Sequence, residues 1–124
     1  MAKQMSRQAA TWQASADTRT CLDECQKCEQ VCLETVNYCL EKGGDHADQS
    51  HIALLLDCAK ICETSASFLG RRSSNHAAIC RVCAEICKAC QESCEQWPDD
   101  VNMRACADAC RSCFESCDKM AKMA

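Results

Sequence analysis

The sequence predicts an all-α protein, an antiparallel four-helix bundle whose core is lined with cysteine. Three observations carry this expectation. The fillers between breaks are Ala, Glu, Lys, Gln, Arg and Leu, all strong helix formers. Aromatic residues are 4% of the chain, with 1 proline and 3 glycines, so strand and loop formers are scarce. Cysteines, 16 in 124 residues, recur in steps of three, four and seven. That beat marks one stripe of a helix.

Three clusters punctuate the chain: Gly43-Gly44-Asp45, Gly70 through Asn75, and Trp97-Pro98-Asp99-Asp100. Each reads as a helix stop followed by a helix start. Gly43 and Gly70 suit the left-handed position just past a helix end. Asp45 or Asp48, Ser73 or Ser74, and Asp99 or Asp100 suit N-caps. The breaks leave four blocks: Asp17 to Lys42, Ala47 to Leu69, Ser74 to Trp97, and Asp99 to Met123. Each would be roughly 35–39 Å long as a helix. Short connections make neighbours antiparallel, which closes a bundle. Residues 17–123 are therefore assigned to the bundle, and 1–16 to an N-terminal extension. Met5, Ala9, Trp12 and Ala16 recur there at helical spacing, so the extension is either a short helix or disordered.

The formal net charge of −4 gives no footprint for nucleic acid or an anionic membrane. The first residues contain no apolar h-region, and Arg71-Arg72 is internal, so no secretory leader is expected. No run reaches the length of a membrane span. A cytoplasmic setting follows as the simplest expectation, with thiols reduced.

The first block carries Cys21, Cys25, Cys28, Cys32 and Cys39; the second, Cys58 and Cys62. The third carries Cys80, Cys83, Cys87, Cys90 and Cys94, and the fourth Cys106, Cys110, Cys113 and Cys117. The motif C-x3-C-x2-C-x3-C occurs in the first, third and fourth blocks. Where an ordinary bundle carries Leu and Ile, this one carries Cys. If the thiols were merely small buried hydrophobes, sixteen in register would leave the core short of volume. A disulfide scaffold places cysteines in the loops it staples, not along helices. Cys21, Cys25 and Cys28 resemble the cluster motif of radical SAM enzymes, but the pattern recurs on three helices in a chain too short for their barrel. Zinc ribbons need C-x2-C in tight turns, and no turn here holds a cysteine. A zinc or mixed-metal thiolate buffer stays open as the alternative.

A soft-metal core fits most directly. Thiolate is a soft ligand and Cu(I) a soft ion. Cysteines at i and i+4 have Cβ atoms about 5–6 Å apart, close enough for one ion to bridge their sulfurs. Each Cu(I) also cancels one thiolate charge, so roughly one ion per thiol keeps a buried core near neutral. A thiol redox enzyme is the rival class. Its C-x2-C belongs at a helix N-terminus in a βαβ context, and here the pairs are mid-helix.

The stretches "CLDECQKCEQVC", "CAKIC", "CRVCAEICKACQESC" and "CADACRSCFESC" resemble the bacterial copper storage proteins, cysteine-rich four-helix bundles, over about residues 18–120. The resemblance implies many Cu(I) ions along a tube of thiols, a homotetramer, storage and not turnover, and a cytosolic location for members without a leader. Block two has only two cysteines, and Thr35 falls on the seam without a thiol, which implies a lower capacity than in the richest members.

Continuing the beat past the thiols reaches His51, His76, Met103 and Met120, all candidate metal ligands. His51 and Met103 are expected at one end near Cys39 and Cys94, with Trp97 as a plug. His76 and Met120 are expected at the other, near Cys21 and Cys117, where metal would enter. His46 reads as solvated and off the seam. Ile52, Leu54, Leu56, Ile61, Phe68, Ile79, Val82, Ile86 and Phe114 flank the thiol stripe as seals between helices or as an outer interface.

Overall fold

A computed structural model describes residues 16–123. The expected N-terminal extension lies, but for Ala16, outside the described residues. Four helices follow in order: α1 (Ala16–Lys42), α2 (Gln49–Gly70), α3 (His76–Cys94) and α4 (Val101–Ala121). Each packs on two neighbours, α1 on α2 and α4, α3 on α2 and α4. The helices thus ring a central axis, and their inward stripes form the core.

The ends follow from local chemistry. Gly43 (φ 73°) closes α1, its N–H donating to the Cys39 carbonyl at 3.0 Å. A short 3-10 turn, Gly44–Ala47, then leads to Asp48, whose carboxylate caps α2 by accepting from the Ser50 N–H. Asp100 caps α4, accepting from the N–H groups of Asn102 and Met103.

The α2–α3 junction departs from expectation. Gly70 is the last residue of α2, not the residue beyond it. The left-handed position is Arg72 (φ 55°). The Ser73 N–H donates to the Phe68 carbonyl and the Arg72 N–H to that of Leu69, the paired bonds of a Schellman ending. Continuing the helix two residues past Phe68 buries Leu69 in the core, which outweighs glycine's stop preference. α3 starts at His76 after Asn75, not after Ser73 or Ser74; Ser73 Oγ instead accepts from the Asn75 N–H.

All sixteen cysteines are buried. Ala59, Ala84, Ala107 and Ala109 are buried beside them. Eleven of the sixteen sulfurs lie 3.5–4.0 Å from another cysteine sulfur, along most of the tube. Of the flanking apolar residues, Ile52, Leu54, Ile61, Ile86 and Phe114 are half-buried against the core, while Leu56 and Val82 are exposed.

Candidate metal centre

Two periodicities meet in the core. Along a helix, i,i+4 pairs bring sulfurs together: Cys28–Cys32 at 3.9 Å, Cys83–Cys87 at 3.8 Å, Cys113–Cys117 at 3.9 Å. Across helices the closest sulfurs are nearer still: Cys25–Cys117 at 3.5 Å, Cys62–Cys113 and Cys58–Cys87 at 3.6 Å. No pair is bonded; a disulfide is about 2.05 Å long. Eleven of the thiols, on all four helices, form one connected S–H···S network. Four groups have sulfurs close enough to share an ion: Cys25/Cys83/Cys113/Cys117, Cys28/Cys62/Cys87/Cys113, Cys28/Cys32/Cys58/Cys110 and Cys21/Cys80/Cys117.

Neighbouring thiols set one another's acidity. Hydrogen bonding with Cys110 holds Cys28 and Cys58 below the usual thiol range. Cys25 falls to about 5, chiefly through its hydrogen bond with Cys113. Cys110 is pushed up by its bonds to Cys106, Cys28, Cys32 and Cys58. A soft cation can enter such a network by displacing protons one sulfur at a time.

The seam has two gaps filled by hydroxyls. Thr35 Oγ1 donates to the Val31 carbonyl at 2.7 Å and is buried. Ser65, fully buried, lies 3.5 Å from Cys80 Sγ and 3.9 Å from Cys117 Sγ. Ser65 was not singled out in the sequence, although it falls three residues after Cys62 on the beat.

The two ends differ. At one, Cys39 Sγ lies 3.6 Å from both His51 Nε2 and Met103 Sδ. His51 Nδ1 is paired with Ser93 Oγ at 2.7 Å. Trp97 covers this end as expected, its ring 4.9 Å from that of His51. His46 is not solvated: it is buried, stacks on Trp97 at 4.2 Å and lies 3.1 Å from Asp100 Oδ2. The 3-10 turn after the two glycines folds His46 back over the bundle end. Tyr38 donates to the same carboxylate oxygen at 2.7 Å. Desolvation pushes the Asp100 carboxyl up, but the bonds from Tyr38, the Met103 N–H and His46 win and hold it below its ordinary range.

At the other end, His76 and Met120 line one cavity of about 270 Å³ together with Thr18, Leu69, Arg72, Ser73 and Ser74. His76 Nδ1 is 3.0 Å from the Ser73 carbonyl, which can only accept, so Nδ1 carries the proton. Nε2 then presents its lone pair, buried and without a hydrogen-bond partner among the described residues. Cys21 and Cys117, 3.6 Å apart, form the last rung of the tube on this side.

A ring of helices around a tube of free, mutually touching thiols with imidazole and thioether at both ends defines a class: a helical container for soft metal ions. The chain belongs to the copper storage protein family, whose model matches residues 14–122. Among solved structures it is similar to the Nmul_A1745 protein of Nitrosospira multiformis, at 41% identity over 87% of this chain and 97% of that one, with a TM-score of 0.82. It is also similar to the Cu(I)-bound copper storage protein BsCsp3, at 33% identity over 85% of this chain and 98% of that one, TM-score 0.79. A copper-loaded cytosolic copper storage protein of Streptomyces lividans matches at 27% identity, over 86% of this chain and 92% of that one, TM-score 0.74. No curated protein matches. Among the described residues, no helix is long and apolar enough to cross a membrane.

Proposed function

We propose that this protein is a cytoplasmic, non-catalytic store that takes up many Cu(I) ions on the thiolates of its core. The observation that carries the reading is the set of sixteen free buried thiols, eleven of them in one connected sulfur network. Every cysteine is a ligand in this reading, each bridging ions along the tube. His51 and Met103 extend the ligand set at the Trp97-covered end, and His76 and Met120 at the other. Metal enters by the His76–Met120 end, where both side chains line a cavity and the buried His76 Nε2 has no hydrogen-bond partner among the described residues. The storage domain spans residues 17–123. Exposed Leu33, Leu40, Leu56 and Val82 support assembly into a homotetramer.

The test is an anaerobic Cu(I) titration of the reduced protein against a strong chromophoric chelator. The expected result is tight uptake of roughly one ion per thiol, as charge balance in a buried core requires. Uptake of only a few ions, or equal capacity for Zn(II), would overturn it. Light scattering checks the tetramer.

A further inference from the structure

Among the four sulfur groups, one has a distinct shape. Cys28–Cys32, Cys28–Cys58, Cys28–Cys110, Cys32–Cys110 and Cys58–Cys110 are 3.9, 3.8, 3.9, 3.8 and 4.0 Å apart. The sixth edge, Cys32–Cys58, is within 4.8 Å. Five of six edges thus agree to 0.2 Å. A tetrahedral ion with bonds of about 2.3 Å to sulfur separates its ligands by about 3.8 Å, roughly 1.63 bond lengths. Five of the six sulfur pairs already stand close to that spacing. The comparable Cys25/Cys83/Cys113/Cys117 group is less regular, with edges from 3.5 Å (Cys25–Cys117) to 4.0 Å (Cys83–Cys113).

We propose that Cys28, Cys32, Cys58 and Cys110 form a preorganised tetrahedral four-thiolate site for one divalent ion of the Zn(II) class in the copper-free protein, from which Cu(I) later displaces it. The inference rests on the storage reading only for the displacement step. A fourth sulfur placed evenly against the other three is what a two- or three-coordinate Cu(I) leaves unused; a tetrahedral S4 set is the geometry of zinc. The site is drawn from three helices. An i,i+4 pair on α1 supplies one edge, and single cysteines on α2 and α4 close it. All four sulfurs are fully buried. Cys87 Sγ borders the site, 3.6 Å from Cys58 Sγ.

The arrangement also limits divalent loading. Cys28 belongs to two of the three four-sulfur groups, and Cys113 to two. Filling the central group removes Cys28 from the Cys62/Cys87 group, so at most two tetrahedral sites can be complete at once. Cu(I), needing two or three sulfurs, has no such limit. Displacement is ligand exchange: Cu–S bonds form, Zn–S bonds break, and neither metal changes oxidation state.

The experiment is an anaerobic Co(II) titration of the reduced full-length protein, with absorption spectra read at each addition. The expected first equivalent gives the intense d–d bands and thiolate charge transfer of tetrahedral CoS4. Cys110→Ser and Cys58→Ser, each checked for helicity by circular dichroism, should weaken that first site at least tenfold and shift its bands. Cys94→Ser should lose copper capacity but keep the cobalt signature. Adding Cu(I) to protein loaded with one Zn(II) should release that Zn(II) to a colorimetric indicator. A first cobalt with nitrogen or oxygen ligands, or an unchanged signature in both tetrad variants, would overturn the site. Zn(II) retained under excess Cu(I) would overturn the displacement. Copper capacity, measured separately by chelator competition, would then still judge the storage reading on its own.

Discussion

His76 Nδ1 donates to the carbonyl of Ser73 at 3.0 Å, and this one bond fixes which nitrogen can meet a metal. Nε2 is buried without a partner among the described residues, and the His76 side chain lines a cavity with Met120. The double variant His76→Ala, Met120→Ala is therefore expected to load and release Cu(I) roughly tenfold more slowly, a barrier change of about 1.4 kcal/mol. Its capacity should fall little, because the thiols stay in place. Stopped-flow transfer from and to a chelator measures both. Wild-type rates in both directions would remove this end from the entry route.

At the opposite end Asp100 ties α1 and the His46 turn to the start of α4. Its Oδ1 caps α4, while Oδ2 takes bonds from Tyr38 and His46. Asp100→Ala removes a helix cap, worth about 1 kcal/mol. It also removes two side-chain bonds of about 1 kcal/mol each. A loss of about 2–3 kcal/mol in chemical denaturation is expected. The His46–Trp97 stack should loosen with it, visible as a change in tryptophan emission. If closure at this end limits access, copper uptake by this variant should be faster than wild type.

Ser65 is a hydroxyl at a place where the beat calls for a thiol, between Cys80 and Cys117. Ser65→Cys changes one atom and needs little new space, so stability should change by less than about 1.5 kcal/mol. Capacity should rise by about one Cu(I) per chain in the chelator titration. An unchanged capacity would mean that the rung near Cys80 is already saturated.

Much of this site was legible because helix period and cysteine spacing coincide. A side chain that recurs every three or four residues has one place to go in a bundle, so the cysteine register and the pairing of His51 and Met103 with Cys39 followed directly. Asp48 and Asp100 were readable as caps for a similar reason: carboxylates just before an apolar run have one common use. The misreadings fall where long-range packing overrides local preference. Burial of Leu69 carries α2 through Gly70, and a four-residue turn returns His46 to stack on Trp97, an event with no local signal.

Arg72 pays the cost of that Leu69 burial in backbone conformation. At φ 55° a residue with a Cβ is disfavoured by about 1–2 kcal/mol. Arg72→Gly relieves this, partly offset by glycine's freedom in the unfolded chain. A net gain of about 0.5–1 kcal/mol is expected in urea denaturation of the apo protein. A loss would mean that the Arg72 side chain contributes more at the cavity rim than its backbone costs.

Cys39 supplies a pH dependence whose sign can be worked out. Burial first, then the charges of Cys106, Asp100 and Cys90, push its thiol up from the ordinary 9.0 to about 11. Below pH 9 the group is a neutral thiol in both folded and unfolded chains and contributes no pH dependence. As pH rises from 9 toward 11 the unfolded chain ionises and the folded one does not, so the apo protein loses stability through that window. Anaerobic urea denaturation at steps from pH 8 to 11 should therefore show a decline in wild type that is shallower in Cys39→Ser; the difference between the two isolates this thiol from its coupled neighbours. Copper reverses the logic. A metal bound at Cys39 must displace its proton near neutral pH, so affinity there should fall about tenfold for each unit of acidification, per proton displaced. Uptake of the ion held by Cys39, His51 and Met103 should weaken accordingly between pH 8 and 6, with a proton released to a pH indicator as it binds. Proton-free uptake at that end would show that Cys39 is already a thiolate and would remove the predicted alkaline window as well.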